Sequence, residues 1–474
     1  MQPVVTPTEM AVIDAEASES VDVLIERAAW AVAREAAAML DGSLYGKRIA
    51  VLAGKGNNGA DGRGAVRHLE QRGARCTVVD VPVFDVPLDS SVDLSTSPLG
   101  SYRFDLVIDA CVGTGLSRPF DGRELRGTIG DAPVLAVDIP SGVDGLTGQV
   151  AGWAIPATRT VTFAAPKPGV LLQPGRDLTG ELVVAGIGLD CSRATIHHLD
   201  AADLSRWPVR ATDAHKWNQA VLIVGGSPGM TGAPSLAAHA AFRSGAGYVA
   251  LSIPGLVLDQ MIVDQTDAAD PLEAVLQPVD HQWADSVLAA EERFGAVVIG
   301  PGLSPDHRDQ LAQFLAAATT PTVLDAGALT SLASLDDPAQ ALAACVITPI
   351  LTPHEGEFAK LNGEPVGQDR IEATRRVAER LQAVVLLKGP TTVVAHPDGR
   401  VLLSTAGDAR LATAGTGDVL AGIIGSAIAS GLDPFLAAAS GAEVHGLAAA
   451  SCDAIGLVAG DIPPAVARVL SGSG

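Results

Sequence analysis

The sequence predicts an α/β protein of two domains, each built on a parallel β-sheet that helices cover on both faces. Three observations lead to this prediction. The chain has 474 residues, more than one ordinary domain holds. Short apolar runs rich in β-branched residues alternate with helical stretches, which is typical of a buried parallel sheet. The alternation occurs twice and lapses over about 188–215, so we assign residues 1–205 to the first domain and 206–474 to the second.

The composition indicates a protein that acts on small molecules. The formal net charge is −22 and the isoelectric point lies near 4.7, so the surface repels nucleic acid and anionic lipid. The five cysteines are scattered without any CxxC pair, which favours reduced thiols over zinc ligands. We expect no secretory signal, because the first residues lack a basic region followed by an apolar one, and we expect no membrane span, because no apolar stretch is long enough. We therefore expect a cytoplasmic protein that binds neither nucleic acid nor membrane.

Two helices are predicted before the first strand. Thr6-Pro7-Thr8-Glu9 has the form of a capping box with proline at the first helical position. A longer helix is predicted over roughly 19–40, because its apolar residues recur on one face. These residues are Val21, Leu24, Ile25, Ala28 and Val32.

The predicted strands follow in two series. Those of the first domain occupy 48–54, 76–81, 104–110, 133–140 and 160–166. Those of the second occupy 219–226, 248–254, 296–303, 321–326, 345–350 and 383–389. Two further runs, "TTVVAH" and "RVLLST", flank a "PDG" turn and predict a hairpin. We expect no strong strand and no long helix between 188 and 215.

A Gly-rich loop, "AGKGNNGADG", follows the first of these strands and opens a helix. Backbone N–H groups at a helix N-terminus can hold a phosphate, and glycines let the backbone approach it closely. Gly54, Gly56 and Gly59 have the GxGxxG spacing, but this fingerprint is weakly specific. A plain tight turn between strand and helix therefore remains the alternative.

Polar residues end two other strands of the first series. Asp109 ends "LVIDA" and Asp138 follows "VLAV", and carboxyl ends of parallel strands converge on one crevice. Asn58, Asp109 and Ser141 offer oxygen ligands that suit a monovalent or other oxygen-preferring cation. Each aspartate could instead simply cap a helix.

The stretches "GNNGADG", "DACVGTGLSRP" and "VDIPSGVDGLTG", in this order, resemble the NAD(P)H-hydrate epimerase family over roughly residues 6–190. The resemblance implies a Rossmann-like three-layer domain in which Asp138 is a candidate acid/base. It also implies that potassium is held by Asn58, Asp109 and Ser141. Ala60 stands where the family has glycine. The implied substrate-binding residues are Asn57, Asn58, Gly59, Ala60, Asp61, Gly113, Thr114, Gly115, Leu116, Ser117, Arg118, Pro119 and Asp138.

The second half carries four candidate motifs: "GGSPGMTGAP", "PHEGEF", "LKGPTT" and "ATAGTGDVLAG". The amides of Gly415 to Gly417 could hold the charge on a transferring phosphoryl group, and Lys388 could neutralise a phosphate. Asp418 would then act as general base. His354 by itself is more often structural, Lys388 by itself is more often a solvated charge, and the carboxylates after His354 could simply favour a helix N-terminus. The sequence "GTGD" at a helix start favours a functional role over a purely structural one, because its first three residues have low helix propensity.

These motifs resemble the ribokinase-like superfamily, and more closely the NAD(P)H-hydrate dehydratase family, over residues 212–470. Ala220 and Ala414 stand where glycine is usual, and Asp408 stands where asparagine is usual. The resemblance implies nucleotide contacts through Lys388, Gly389, Pro390, Thr391, Thr392, Gly415, Thr416 and Gly417. It implies substrate contacts near Ala233, Gly302, His354 and Asp418.

Taken together, the two resemblances imply a nicotinamide-cofactor repair enzyme with two activities. The N-terminal domain would interconvert the R and S epimers of hydrated NADH or NADPH with potassium bound. The C-terminal domain would dehydrate the S epimer using ADP and Mg²⁺, giving AMP and phosphate. The choice of ADP rests on the bacterial branch of the family. Two alternatives remain open: a kinase of a stable alcohol, and an N-terminal domain that only binds a ligand. We also expect a homo-oligomer, because Ala-rich helices can pack between subunits.

Overall fold

The computed structural model describes residues 1–81, 103–227, 229–255 and 273–472. Pro228 of "GGSPGMTGAP" lies outside the described residues. The chain divides into two compact units, one of Pro3–Thr195 and one of Met1–Gln2 with Ile196–Gly474. This division precedes the expected boundary at 205, because residues 196–199 form a strand of the second sheet.

The first unit is built on a parallel sheet, as the sequence predicts. The short strand β1 (Gln2–Val4) at the start of the chain belongs to the other sheet. The strands of this sheet are β2 (Arg48–Ala53), β3 (Arg75–Asp80), β4 (Leu106–Ala110), β5 (Val134–Val137), β6 (Arg159–Phe163) and β7 (Glu181–Ala185). Among the described strands the order is β3-β2-β4-β5-β6-β7, with every pair parallel. The strand β7 was not predicted. It is an edge strand, and most of its residues are half-buried.

The described helices of this unit are Pro7–Ala15, Val21–Met39, Asn57–Gln71, Arg126–Ile129 and Gly175–Thr179. The predicted capping box is confirmed: the Glu9 N–H donates to Thr6 Oγ1 at 3.1 Å, and the Thr6 N–H donates to Glu9 Oε2 at 2.7 Å. The predicted long helix is confirmed over Val21–Met39. The Gly-rich loop does open a helix, which starts at Asn57.

The second unit is built on a larger mixed sheet. Its strands are β8 (Ile196–Leu199), β9 (Ala220–Val224), β10 (Tyr248–Ser252), β11 (Val275–Leu276), β12 (Ala296–Ile299), β13 (Thr322–Leu324), β14 (Ile350–Leu351), β15 (Val384–Leu387), β16 (Thr392–Ala395) and β17 (Val401–Ser404). With β1 at one edge, the order of the sheet is β1-β8-β17-β16-β15-β14-β13-β12-β9-β10-β11. Only the pairs β15–β16 and β16–β17 are antiparallel among the described strands β8 to β17.

Two predictions for this unit have clear outcomes. The hairpin around "PDG" is confirmed, since β16 and β17 pair antiparallel with Ala395 opposite Val401. The expectation of no strand between 188 and 215 is wrong. The segment Ile196–Leu199 forms β8 and pairs in parallel with β17, a partner about two hundred residues away in sequence. The fifth predicted strand of this series, 345–350, is reduced to Ile350–Leu351.

The described helices of the second unit are Gly232–Arg243, Ala284–Glu291, Arg308–Leu315, Gly327–Ala333, Pro338–Ala343, Glu355–Asn362, Arg370–Leu381, Thr416–Ala429, Pro434–Ala450 and Ile462–Leu470. The helix that begins at "TGD" is buried along nearly its whole length. It lies so close to the helix Gly232–Arg243 that a Cβ on Gly422 would be 2.0 Å from the carbonyl oxygen of Ala237. This close packing fixes where the "GTGD" turn stands.

Within its described residues, the protein has no helix that is both long and apolar enough to cross a bilayer.

Candidate active sites

The first unit contains a cavity of about 420 Å³ at the carboxyl edge of its sheet. Its wall combines polar loop residues with apolar residues of the helix Val21–Met39. The predicted substrate-binding residues that line it are Asn57, Asn58, Asp61, Gly113, Thr114, Gly115 and Asp138. Residues from three separate strand ends are thus brought together, as expected for a parallel sheet.

The other predicted residues of the first unit stand behind or beside this cavity. Gly59 is packed inside the helix, where a Cβ would be 2.0 Å from the carbonyl oxygen of Gly54. Ala60 is helical, and its N–H donates to the Gly56 carbonyl at 3.1 Å, so alanine fits here without backbone strain. Four predicted residues are not among the described residues of the cavity wall: Leu116, Ser117, Arg118 and Pro119.

Asp138 is held by a buried lysine. Lys167 Nζ donates to Asp138 Oδ1 at 2.6 Å, and the Thr162 hydroxyl donates to the same oxygen at 2.9 Å. The Lys167 side chain is 1% exposed, so this ion pair lies in a low-dielectric environment. Asp138 has φ +68°, which is unusual for a residue other than glycine and is often found at functional sites. Sequence reasoning missed Lys167, although it follows the strand β6 in "FAAPKPG".

Two more carboxyl groups line the cavity. Asp61 is 7% exposed, and burial, reinforced by the negative charges of Asp138 and Asp14, raises its pKa to about 8. Lys167 opposes this shift without cancelling it. Burial also raises the pKa of Asp14, which comes from the helix Pro7–Ala15 and was not predicted as a site residue. The same cavity therefore holds one carboxyl group whose pKa is raised and another that is ion-paired to a lysine.

Of the predicted cation ligands, Asn58 lines this cavity, whereas Asp109 and Ser141 are fully buried behind its wall. Ser141 Oγ donates to Asp109 Oδ1 at 2.6 Å, and the Ser141 N–H donates to Asp109 Oδ2 at 2.8 Å. Burial raises the pKa of Asp109, and these hydrogen bonds oppose the rise. Asn58 stands against Gly113, whose Cβ would be 3.3 Å from Asn58 Oδ1. Both polar side-chain atoms of Asn58 are buried without a partner among the described residues. Because an unpaired buried amide is costly, an oxygen-preferring cation fits this position.

The second unit has a comparable pair. Lys388 Nζ donates to Asp325 Oδ1 at 2.6 Å, and the Thr352 hydroxyl donates to that oxygen at 2.7 Å. Lys388 and Asp325 follow the strands β15 and β13, and the Asp325 side chain is 2% exposed. The side chain of Arg370 donates to the Lys388 carbonyl at 3.1 Å, which fixes the backbone there. Lys388 is therefore an ion-paired residue of the site and not a solvated surface charge.

The "GTGD" turn brings Asp418 to this pair. Gly415 caps the helix with φ +91°, a conformation that glycine adopts without strain. A Cβ on Gly417 would be 3.1 Å from Lys388 Nζ. Burial, with the charge of Asp325 acting in the same direction and Lys388 opposing it, raises the pKa of Asp418 to about 7. The first-turn N–H groups of a helix lack intrahelical acceptors, so those of Gly417 and Asp418 are available to an anion.

The hydroxyl of Thr416 ties the turn together, because it donates to the carbonyls of Leu411 and Thr413 at 2.8 and 2.9 Å. Thr416 thus shapes the turn through its side chain. In the other nucleotide segment, Gly389 lies against Arg370, whose Nη2 would be 2.5 Å from a Cβ there. Pro390 follows, Thr391 is buried and Thr392 begins β16.

The predicted substrate contacts fall into two groups. Ala233 and Gly302 are adjacent, since a Cβ on Gly302 would be 3.0 Å from Ala233 Cβ. The loop that contains Gly302 also reaches the ion pair of Lys388 and Asp325, because a Cβ on Gly300 would be 1.7 Å from the carbonyl oxygen of Asp325. His354 caps the next helix: its Nδ1 accepts from the Gly356 N–H at 3.0 Å. Nδ1 of His354 therefore has a structural role as a helix cap, although the imidazole ring is exposed.

Sequence reasoning missed two acidic groups of this site. Asp325 is one of them, although it ends the predicted strand 321–326. Glu357 was considered only as a helix-start residue. Burial raises its pKa, the negative charge of Asp325 adds to this, and the positive charge of Lys388 opposes it. The site thus gathers three carboxyl groups around one lysine.

Comparisons with known proteins match each unit to a family. A model described as NAD(P)H-hydrate dehydratase matches residues 221–467, and one described as YjeF-related protein N-terminus matches 21–87 and 81–169. The chain is 36% identical to the bifunctional NAD(P)H-hydrate repair enzyme Nnr of Moorella thermoacetica, over 94% of this chain and 91% of that protein. It is 35% identical to the enzyme of the same name from Escherichia coli, over 84% of this chain and 79% of that protein.

A solved structure adds evidence on the fold. A ribokinase-like superfamily protein from Enterococcus faecalis superposes with a TM-score of 0.50 at 24% identity, covering 59% of this chain and 96% of its own. At this identity the likeness concerns the fold alone.

Proposed function

The chain belongs to the bifunctional NAD(P)H-hydrate repair enzymes, and we propose how its two units divide that activity. The Asp138 site of the N-terminal unit epimerises R- and S-NAD(P)H hydrate. The Asp418 site of the C-terminal unit dehydrates the S epimer to NAD(P)H at the expense of ADP. One feature of each unit carries this proposal: a lysine–aspartate ion pair, at 2.6 Å in both cases, that stands beside a carboxyl group with a raised pKa.

The chemistry of the hydrate requires both activities. Water adds to the reduced nicotinamide ring at the carbon next to the ring nitrogen, because the enamine is protonated at its other carbon. The product has a new stereocentre that carries a hydroxyl group. Hydroxide is a poor leaving group, whereas phosphate is a good one, so dehydration is assisted by first phosphorylating that hydroxyl. A dehydratase that accepts one epimer needs an epimerase to repair the other.

In the dehydratase site, Asp418 is the general base that accepts the hydroxyl proton as the oxygen attacks the terminal phosphoryl group of ADP. A base with a pKa near 7 is well matched to this role at neutral pH. Of the amides of Gly415 to Gly417, that of Thr416 donates to the Thr413 carbonyl at 3.3 Å, so the Gly417 amide, together with that of Asp418, stabilises the charge on the transferring group. Lys388 neutralises a phosphate. Inorganic phosphate then leaves with the carbon–oxygen bonding electrons, the neighbouring ring carbon gives up a proton, and the ring double bond is restored. AMP is the other product.

The surplus of negative charge in this site suits a magnesium-bound nucleotide. Asp325, Glu357 and Asp418 stand around one lysine, and burial raises the pKa values of Glu357 and Asp418. Mg²⁺ in nucleotide sites is held by one or two carboxylates together with phosphate oxygens. Asp325 and Glu357 would hold it here. When bound, Mg²⁺ would neutralise phosphate charge. No group of three or more acidic, histidine or cysteine side chains within the described residues is arranged to hold a metal by itself, so the phosphates would complete the ligand set.

In the proposed nucleotide site the segment Lys388 to Thr392 faces ADP, together with Gly417. The hydrated ring lies toward Ala233, Gly302, His354 and Asp418. Contact between the loop of Gly300 and the backbone of Asp325 supports this placement, because it joins the two groups of residues.

In the epimerase site, Asp138 accepts the proton of the ring hydroxyl, and Lys167 holds Asp138 in place through the hydrogen bond at 2.6 Å. Opening of the ring and closure on the other face inverts the stereocentre. Potassium held by Asn58, Asp109 and Ser141 would order the phosphate-binding loop. The unpartnered amide of Asn58 supports this assignment.

The proposal includes two statements about the whole chain. It works in the cytoplasm, which suits its cysteines: all five are free, two of them buried. It also forms a homo-oligomer, an expectation to which the exposed Val23 and Trp30 of the helix Val21–Met39 lend support.

Supplying the two epimers separately tests this division of labour. With Mg²⁺ and ADP, the S epimer should give NADH at the same rate in the wild type and in Asp138→Ala. The R epimer should give NADH rapidly only in the wild type, and in Asp138→Ala its turnover should fall to the rate of epimer exchange in buffer. Equal turnover of the R epimer in both proteins would contradict the role of Asp138. A stable phosphorylated product in place of NADH would identify a kinase.

A further inference from the structure

We propose that Asp61 is the general acid of the epimerase site: it protonates the ring nitrogen of the hydrated cofactor while Asp138 accepts the proton of the ring hydroxyl. This inference rests on the function proposed for the N-terminal site and deepens it by naming the second group that ring opening requires.

The geometry gives Asp61 and Asp138 opposite characters in one cavity. Both side chains line the cavity of about 420 Å³. Asp138 accepts from Lys167 Nζ and from the Thr162 hydroxyl, so it has a buried cation as its direct partner. Asp61, which is 7% exposed, accepts no hydrogen bond from the part of the chain that the structure describes. Two carboxyl groups with environments this different are suited to opposite proton-transfer roles.

The charged surroundings keep a proton on Asp61. The carboxylates of Asp138 and Asp14 face it and repel its negative form, while Lys167 attracts that form. Lys55 also lines the cavity, as does the Cys111 thiol, whose pKa burial raises well above its usual value. Burial is the largest influence, and the pKa of Asp61 rises to about 8. The helix N-terminus could favour a carboxylate, but Asp61 stands beyond the first turn of Asn57–Gln71, where that effect has faded.

Asp14 is less suited to this role. Burial raises its pKa as well, but its side chain is exposed at the end of the helix Pro7–Ala15. A hydrated carboxyl group exchanges its proton with water and donates it less selectively to a bound ring. Asp14 contributes instead through its negative charge, which helps to keep Asp61 protonated.

The proposed step balances in atoms and electrons. The hydrate is a hemiaminal, in which the hydroxyl-bearing carbon is bonded to the ring nitrogen. Asp138 takes the hydroxyl proton, the carbon–oxygen double bond forms, and the carbon–nitrogen bond breaks with its electron pair going to nitrogen. Asp61 gives its proton to that nitrogen. The open form is an aldehyde, and nitrogen attack on its other face reverses both proton transfers and gives the other epimer. No oxidant or reductant is needed.

The test compares Asp61→Asn with a matched control, Asp105→Asn, in the full chain. Asp105 immediately precedes β4, so it lies at the opposite edge of the sheet from the cavity, and it accepts from the Arg48 N–H at 2.8 Å. Chromatographic separation of the epimers gives the exchange rate from pH 6 to 9. Asparagine keeps the size of the side chain but cannot donate the proton, so Asp61→Asn should lower the exchange rate by about 100-fold or more. Asp105→Asn should exchange the epimers at the wild-type rate.

The pH profile distinguishes an acid from a structural residue. An acid acts only while protonated, so wild-type exchange should decline as pH rises through about 8, the pKa of Asp61. The residual exchange of Asp61→Asn should lack this decline. Its affinity for each epimer, followed by saturation-transfer NMR, and its dehydration of the S epimer should match the wild type. Exchange by Asp61→Asn at the wild-type rate, or a loss explained entirely by weaker epimer binding, would overturn the proposal. Absence of exchange in the wild type would instead contradict the proposed function itself.

Discussion

At the scale of single residues, the two sites share one arrangement. Each has a lysine that donates to an aspartate at 2.6 Å, Lys167 to Asp138 and Lys388 to Asp325. Each also has a further aspartate with a raised pKa, about 8 for Asp61 and about 7 for Asp418. In the first site the ion-paired aspartate is the proposed base. In the second site the proposed base is Asp418, and not the ion-paired Asp325, because Asp418 stands at the helix start that would face the phosphoryl group.

The base role of Asp418 predicts the effect of Asp418→Asn. Asparagine keeps the shape of the "GTGD" turn but cannot accept a proton, so dehydration of the S epimer should fall by about 10³-fold. Binding of ADP, measured by titration calorimetry, should stay within about threefold of the wild type. An Asp418→Asn enzyme with nearly full dehydratase activity would exclude Asp418 as the base.

The pKa of Asp418 also predicts how dehydration depends on pH. A base acts only when it is deprotonated, and its pKa of about 7 lies well above the usual value for aspartate. The kcat/KM for the S epimer should therefore rise about tenfold per pH unit below 7 and level off above it. Stopped-flow absorbance of NADH from pH 5.5 to 8.5 measures this. A flat profile from pH 5.5 to 7 would contradict a base with that pKa.

The buried pair of Lys167 and Asp138 predicts a loss of both stability and exchange in Lys167→Met. Removing one partner leaves the carboxylate of Asp138 without its counter-charge in a largely buried site, at a cost of about 3 kcal/mol to the unfolding free energy of the N-terminal unit. Lys47→Met is the control, because Lys47 pairs with Asp105 at 3.4 Å in a half-exposed setting. That change should cost less than about 1 kcal/mol. Urea unfolding and epimer exchange report on the two effects, and equal stability of the two variants would contradict the argument.

Residues within motifs were predictable, but their partners were not. The strand-end position of Asp138 and the "GTGD" sequence around Asp418 are local signals. Lys167 and Asp325 lie 29 and 63 residues from the partners they contact, and no spacing in the sequence joins them. Folding alone brings them together, so their roles could be seen only in the structure.

At the scale of elements, the strands of both sheets could be predicted because they are continuous apolar runs. Strand β9 (Ala220–Val224), for example, is entirely buried, as a central parallel strand is expected to be. Strand β8 was missed because it contains two histidines and is only four residues long. Its pairing with β17 depends on the tertiary fold, and a single strand read from sequence does not reveal its partner.

The close approach of two helices at the "GTGD" site predicts that Gly422→Ala destabilises the C-terminal unit. A Cβ there would be 2.0 Å from the Ala237 carbonyl oxygen, so the helix Thr416–Ala429 must shift. Such overpacking costs about 1–3 kcal/mol. Gly232→Ala is the control, because a Cβ at the start of the facing helix meets nothing within 4 Å. Urea unfolding of both variants measures this, and an unchanged midpoint for Gly422→Ala would contradict the packing argument.

At the scale of the whole molecule, each compact unit carries its own site. The Asp138 site lies within residues 3–195, and the Asp418 site lies within residues 196–474. A substitution in one site should therefore leave the activity of the other unchanged. The sequence predicted two domains with two chemistries, but it placed the division at 205, because the strand β8 was not recognised.

The most direct test of this account is recovery of NADH from an equilibrium mixture of its R and S hydrates. Purified protein receives the mixture with Mg²⁺, K⁺ and ADP, and the near-ultraviolet absorbance of reduced nicotinamide is followed to completion. The account predicts rapid recovery of all the NADH, since the first site converts the R epimer to the S epimer that the second site dehydrates. Recovery that stops or slows to the rate of exchange in buffer once the S epimer is consumed would contradict an active epimerase site.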